Sequence, residues 1–467
     1  MRTIVIPSFH SLVSRNILTA PFFDLLKQSG YTIVIVVPEK KKDFFEKHYG
    51  GPAVIVHGLV NRLTRLDAFF KTFALAALKT RSILIMRKRG MGIEHPLLFR
   101  LLRPFASATR PLIPILYKIL MPKNTLGEIF ERYRAHAVFS TDVFSANDCR
   151  IMLEAKRRGI PVVGMVRSWD NLTAKGGFRV VPDVVVLQNE IQQKEAQMIH
   201  GINKNRMRIV GIPHYDRYVN GPTKDRDAFL KDLGIKTSAK YFVYGPIGDR
   251  IVKVGDSLRP HTYDRNVIEY LDKRLPSGCY LVVRTPPTDT VNLDGYIPSS
   301  RVIIEQPGTR FGEGKSVRMT ELTRSDDDHL VNLLYHSAGV VTVFSSLCID
   351  GLVLGKPVAL LAFDFNPASY WESVKRLHEF DHMVPVLESG VCDVLESASA
   401  LDAFILRSRE EGLKNNLERQ RFMDRECFHL DGKSSQRLYE LIEKNITSDD
   451  TELGSLEEHV AKYSTIR

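Results

Sequence analysis

Residues 340–357 read Val-Val-Thr-Val-Phe-Ser-Ser-Leu-Cys-Ile-Asp-Gly-Leu-Val-Leu-Gly-Lys-Pro. The β-branched and aromatic run Val340–Phe344 predicts a buried strand. Ser345 and Ser346 follow. Leu347–Leu354 predicts one or two helical turns, stopped by Gly355 and Pro357, and Val358–Phe363 predicts a second strand. Strand, serine turn, helix and strand make a βαβ unit. Its turn lies at the carboxyl end of a strand and the amino end of a helix. There the free backbone N–H groups and the helix dipole favour an anion, and hydroxyls add donors without bulk. The pattern predicts a seat for a phosphate or pyrophosphate. Serine is also a common N-cap, so an ordinary capped helix fits the same letters.

The same rhythm extends in both directions. Strands are predicted at Thr3–Pro7, Thr32–Pro38, Ala53–His57, Ala137–Ser140, Pro161–Val166, Asp183–Leu187 and Met207–Val210, with helices between them. Thr32–Pro38 is almost continuously apolar, as a parallel strand covered on both faces must be. The polar, turn-rich stretch 220–227 marks a boundary. Beyond it strands recur at Tyr241–Tyr244, Tyr280–Arg284 and Val302–Glu305, and helices at Ser325–Ser337, Ala400–Asn416 and Ser434–Asn445. The expected fold class is α/β, with two Rossmann-like domains facing each other across a cleft: residues 1–220, residues 221–446, and a polar tail at 447–467.

At 467 residues and 44% hydrophobic content, the chain has enough apolar material for two such cores. Its five cysteines are scattered and form no C-x-x-C pair, so neither a disulfide framework nor a structural zinc site is expected. The first residues lack the apolar core of a signal peptide and no long apolar run is present. A cytoplasmic protein is therefore expected. The net charge of +11 is concentrated: residues 62–123 hold 13 Lys and Arg against Asp67 and Glu94, and the remainder carries 52 charges of each sign. An otherwise neutral chain argues against nucleic acid. One basic, apolar insertion suits a peripheral contact with an anionic membrane surface, such as the inner face of the cytoplasmic membrane, although part of it must also be ordinary core helix.

Several residues past strand ends are candidates for chemistry. Asp170, in Ser168-Trp169-Asp170-Asn171, could accept a proton from an acceptor hydroxyl if the indole of Trp169 raises its pKa. Lys175 could balance phosphate charge, and Asn171 stands in the same loop. An N-capping aspartate beside a core tryptophan is the plainer alternative. Gly245 and Gly248, followed by Arg250, would let a backbone approach a ligand, or form a simple tight turn. Arg284 offers a forked charge for a diphosphate, or a surface ion pair. Asp350 could reach ribose hydroxyls, and His10 could reach the cleft. No metal-ligand cluster stands out, so no tightly bound metal or cofactor is expected.

Together these pieces resemble the GT-B superfamily of nucleotide-sugar transferases. Within it they resemble the CDP-glycerol glycerophosphotransferases of teichoic acid synthesis and related surface-polysaccharide enzymes. Three motifs carry the likeness. The family's Thr-Asp-Tyr-Ser-Ser followed by Leu-x-x-Pro reads here Thr342-Val343-Phe344-Ser345-Ser346, then Leu354-Gly355-Lys356-Pro357. Its Trp-His-Gly-Thr-x-x-Lys loop reads Trp169-Asp170-Asn171-Leu172, then Thr173 and Lys175, with Asp170 at the position of the base. Its Asp-Gly-x-x-Ser-x-Arg reads Asp431-Gly432-Lys433-Ser434-Ser435-Gln436-Arg437. One departure is that Arg284-Thr285-Pro286 replaces the Arg-x-His-Pro of related transferases, which removes one phosphate donor.

The resemblance implies a transferase that moves a glycosyl or glycerophosphoryl group from a nucleotide-activated donor, as co-substrate, to a hydroxyl of a lipid-linked or glycan acceptor. It places Ser345 and Ser346 on the donor phosphate. Two alternatives share the architecture: a UDP-GlcNAc 2-epimerase-like enzyme, and a non-catalytic membrane-surface scaffold.

Overall fold

Strand β1 (Thr3–Pro7) sends alternate side chains to two separate cores. Ile4 and Ile6 pack with Phe22, Phe23 and Leu26 of the helix Pro21–Gln28. Val5 packs on the opposite face with Phe70, Ile113 and Met152. The strand is fully buried because helices cover both faces, which is why its letters show no polar alternation. These features belong to a computed structural model that describes residues 2–60, 63–89, 93, 95–249, 262–311, 320–411 and 416–447.

Six further strands join β1 in parallel: β2 (Thr32–Pro38), β3 (Val54–Leu59), β4 (Ala137–Ser140), β5 (Val162–Met165), β6 (Val184–Leu187) and β7 (Met207–Ile209), in the order β3-β2-β1-β4-β5-β6-β7. The second sheet holds β8 (Lys240–Gly245), β9 (Cys279–Arg284), β10 (Val302–Glu305), β13 (Gly339–Thr342), β14 (Val358–Leu361) and β15 (Asp393–Leu395). Its order is β10-β9-β8-β13-β14-β15, also parallel. A short antiparallel pair, β11 (Thr309–Arg310) and β12 (Thr320–Glu321), stands apart. In each sheet the strand order reverses, between β1 and β4 and between β8 and β13. Outside the carboxyl ends of such a reversal an open sheet leaves its ligand crevice. The α/β class with two Rossmann-like halves is thus borne out.

Two sequence expectations change. The helix expected between Thr3–Pro7 and Thr32–Pro38 is broken into Ser11–Val13, a π-helical turn at Ser14–Leu18, and Pro21–Gln28. Pro21 opens the last of these as its first residue. The helix Ser434–Thr447 follows the second half in sequence but packs on the first: Leu438 and Ile442 lie in the core of Ile4 and Phe22. The second unit therefore ends before Ser434 by packing. The tail beyond residue 447 lies outside the described residues.

The insertion between β3 and β4 folds into the helices Arg65–Ala76, Arg81–Lys88, Pro96–Leu102, Ala106–Thr109 and Leu112–Leu120. Its basic residues divide between two tasks. Arg81 and Arg89 bridge to the second half, where Arg81 pairs with Glu379 and Arg89 Nη1 donates to Trp371 O at 2.8 Å. Ile85 enters the core of the second sheet. Helices 96–102 and 112–120 instead turn Leu97, Leu101, Ile115 and Ile119 to solvent, with Phe105 between them. No helix among the described residues is long and apolar enough to cross a membrane.

Candidate active site in the interdomain cleft

The loops after β1, β5 and β13 meet where the carboxyl ends of the two sheets face each other. They line a cavity of about 50 Å³ that includes Arg15, Trp169, His214, Ser346, Asp350 and Glu426. That volume holds a water or two. Ligand pockets span roughly 300–1,000 Å³. With the two halves closed as here, the cleft has no room for a ligand of that size.

Arg15 holds them together. It sits in the π-helical turn, a distortion frequent at functional sites. Its guanidinium reaches Asp327 Oδ1 at 3.3 Å, Asp350 Oδ1 at 2.9 Å and the Tyr218 hydroxyl at 2.7 Å. Arg217 supports the same Asp327 at 3.1 Å and also pairs with Asp328. Beside this cluster, buried Glu321 takes Ser14 Oγ and Lys41 Nζ, each at 2.6 Å. Burial drives the Glu321 carboxyl upward against the pull of Lys41 and Ser14.

Asp350 does reach the cleft, but Arg15 occupies it. In this closed arrangement it is not open to a ribose. Ser345 is half-buried and its Oγ accepts from Leu347 N–H at 3.2 Å. Ser346 is exposed to the cleft and its side chain caps nothing.

Trp169 lines the cleft from the first half and stacks edge-on against His382 of the second, with centroids 4.7 Å apart. Asp170, with a quarter of its side chain exposed, stands next to it and 3.9 Å from Lys175 Nζ. Burial pushes its carboxyl upward, but Lys175, His382 and Arg167 outweigh that and hold it below the usual carboxylate range. The indole therefore does not raise Asp170, contrary to expectation. Asn171 is fully buried and its Oδ1 accepts from Ser168 N–H at 3.0 Å, so it shapes the loop.

Three sequence candidates are committed elsewhere. Arg284 pairs with Glu305 at 3.1 Å, a carboxylate also 2.9 Å from His329 Nε2. This is the ion pair, not an open diphosphate clamp. In the Gly245–Gly248 turn, the N–H groups of Ile247 and Gly248 both donate to buried Asp264 at 3.0 Å. The donors that a phosphate would use are taken by the protein's own carboxylate. Gly248 is required there by its φ of +88° and by Asp289, which a Cβ would meet at 2.7 Å. His10 caps the Ser11–Val13 turn, with Nδ1 accepting from Leu12 N–H at 3.1 Å. Arg250 lies outside the described residues.

The fold adds residues that the sequence reading passed over. His214 is 6% exposed, lines the cleft, and has no hydrogen-bond partner on either ring nitrogen. Burial, then Arg15 and Arg217, hold it neutral. Glu426 lines the same cavity with Oε1 accepting no hydrogen bond, though 3.6 Å from Arg425 Nε, and burial raises it to about 7 against the pull of Arg425. Behind them Glu195 is raised to about 8 by burial and by Asp381, Glu426 and Asp170. Carboxyls whose environments push them apart, as here with Asp170 low and Glu426 near neutrality, mark candidate acid–base partners. Among the described residues no group of three or more His, Cys, Asp and Glu is placed to hold a metal ion.

The fold and cleft define a protein of GT-B type, two Rossmann-like units closed over a ligand crevice. Residues 315–444 match the family described as CDP-Glycerol:Poly(glycerophosphate) glycerophosphotransferase, which agrees with the resemblance drawn from the sequence motifs. No curated protein sequence matches the chain. Among solved structures it is similar to the UDP-GlcNAc 2-epimerase of Methanocaldococcus jannaschii (12% identity, 95% of this chain and 100% of that one, TM-score 0.50). It is also similar to that of Neisseria meningitidis bound to UDP-GlcNAc (10%, 96% and 100%, 0.51). The wall teichoic acid polymerase TagF aligns over 95% of this chain and 89% of its own at 12% identity and TM-score 0.49. These likenesses concern the fold.

The family's Asp-Gly-x-x-Ser-x-Arg motif has a structural explanation here. Arg437 grips Asp431 at 2.9 Å, and the N–H groups of Ser434 and Ser435 donate to buried Asp216 at 3.0 and 2.6 Å. The motif pins the helix Ser434–Thr447 to the start of the interdomain connection.

Proposed function

We infer that the chain transfers a glycosyl or glycerophosphoryl group from a nucleotide-activated donor to a hydroxyl of a surface-polysaccharide acceptor carried on a lipid. The reading is supported above all by the convergence, at the carboxyl ends of both sheets, of Trp169 and His214 from one half with Ser346 and Glu426 from the other. The donor phosphates lie near Ser345 and Ser346 once Arg15 releases Asp350. Glu426, titrating near neutrality, is better tuned than Asp170 to take the acceptor proton, since a base works best when its pKa lies near the operating pH. Asp170 stays ionised beside Lys175 and orients the acceptor. Leaving-group charge is met by the serine hydroxyls and by Arg15. The nucleotide is a co-substrate, with no resident cofactor. The exposed apolar helices of the insertion rest on an anionic membrane at the cytoplasmic face.

A panel of CDP, CMP and UDP in thermal-shift assays tests the donor side. A rise in melting temperature with one of them supports the reading, and a flat panel favours a non-catalytic scaffold. For the acid–base roles, Glu426→Gln is expected to lower turnover about 10²–10⁴-fold with donor affinity kept. Unchanged turnover removes Glu426 from the chemistry. Epimerisation of the donor without any acceptor favours the epimerase-like alternative instead.

A further inference from the structure

A large cavity lies away from the cleft, in the basic insertion. It measures about 1070 Å³ and opens between helices 65–76 and 96–102 and the loop after β4. That is the upper end of the range for ligand sites. Its walls are apolar: Leu63, Phe69, Leu97, Leu98 and Phe144. Arg179, 4% exposed, also lines it. Arg179 Nη2 donates to Phe144 O, whereas Nη1 is buried with no partner. A buried guanidinium N–H without an acceptor is costly, and its natural complement is an anion.

The other charges facing the cavity are mainly positive. Arg65 and Lys71 line it against one carboxylate, Asp67. Asp67 is already engaged by the Thr64 N–H at 2.7 Å and lies 4.0 Å from Arg150. The helix Ala146–Arg157 also points its amino end at the cavity, through Ser145 and Ala146. The mouth is apolar: Leu97 is 78% exposed, and the exposed face continues through Leu101 and Phe105. A ligand that fits needs a long hydrocarbon portion for the walls and a compact anion for Arg179.

We propose that this cavity binds a long-chain alkyl or prenyl phosphate, with the hydrocarbon against Leu63, Phe69, Leu97 and Leu98 and the phosphate on Arg179. Such a molecule is the lipid end of the acceptor invoked above, but its binding does not depend on catalysis. It needs no donor nucleotide, so it stands or falls apart from the transferase reading.

The test is calorimetric titration of the full-length chain with dodecyl phosphate, dodecanol and inorganic phosphate, all below the micelle concentration and without nucleotide. Expected are one-to-one binding of dodecyl phosphate, at least tenfold weaker binding of dodecanol, and no heat from inorganic phosphate. Arg179→Met should weaken dodecyl phosphate at least tenfold. Leu97→Glu, at a site too exposed to endanger folding, should do the same by setting a like charge at the mouth. Equal affinity for dodecanol and dodecyl phosphate overturns the proposal, as does unchanged affinity in Leu97→Glu. Saturation by inorganic phosphate alone overturns it by assigning the site to a free anion. Should Arg179→Met not fold, Leu97→Glu and the ligand series still decide.

Discussion

Replacing Arg15 by Met removes one guanidinium and leaves two carboxylates to be accounted for. Asp327 keeps Arg217 at 3.1 Å, but Asp350, 3% exposed at its side chain, loses its ion-pair partner at 2.9 Å. Breaking a buried pair from one side costs about 3–5 kcal/mol, because a desolvated charge stays behind. An exposed pair would cost only about 0–1 kcal/mol. Because Arg15 belongs to the first half and both aspartates to the second, the loss falls on the coupling between them. The chain has two tryptophans, Trp169 in the first half and Trp371 in the second, so single-tryptophan variants report each half separately. Urea unfolding followed through each should coincide in the parent and separate in Arg15→Met, with the total stability lowered by about 3–5 kcal/mol. Adding Asp350→Leu removes both charges and should recover most of the loss. A loss under about 1 kcal/mol, in the range of exposed pairs, or transitions that stay coincident, would refute the view that Arg15 is a desolvated clasp.

Glu195→Gln should flatten the pH dependence of stability. The Glu195 carboxyl rises to about 8 in the folded chain, so between its unfolded value and pH 8 the folded state holds the extra proton. Parental stability therefore declines as pH rises through that window, and the neutral amide removes the decline; identical pH profiles of the melting temperature would contradict this. Gly248→Ala should destabilise by about 1–3 kcal/mol, since the position combines φ of +88° with a Cβ 2.7 Å from Asp289; denaturant midpoints check it. Leu101→Glu with Phe105→Glu, at sites 71% and 63% exposed, should leave the melting temperature unchanged while abolishing flotation with anionic vesicles; retained flotation would remove this face from membrane contact.

Strand positions were legible because helices cover both sheet faces. Thr3–Pro7, Thr32–Pro38, Ala137–Ser140 and Val302–Glu305 are apolar enough to announce themselves, and the structure keeps those bounds. Short or polar elements were not. The helix Asn416–Cys427, which carries Glu426, reads NLERQRFMDREC and shows little apolar periodicity, because it packs mainly through Phe422, Met423 and Cys427.

Local letters thus sufficed for the α/β class, for two halves, and for the serine turn at Ser345-Ser346, since each follows from short-range propensity and periodicity. The roles of the charged residues did not follow, because a charge is defined by what lies across from it. Arg284 could clamp a ligand or pair with Glu305, and only the approach of β9 to β10 selects the pair. The N–H groups of the glycine turn could await a phosphate, until Asp264, 16 residues on from Gly248, fills them. His214, Glu426 and Arg15 are brought to one cavity only by the tertiary fold. Their burial, and with it their protonation and pairing, arises from contacts hundreds of residues apart in the chain, such as Arg15 with Asp350.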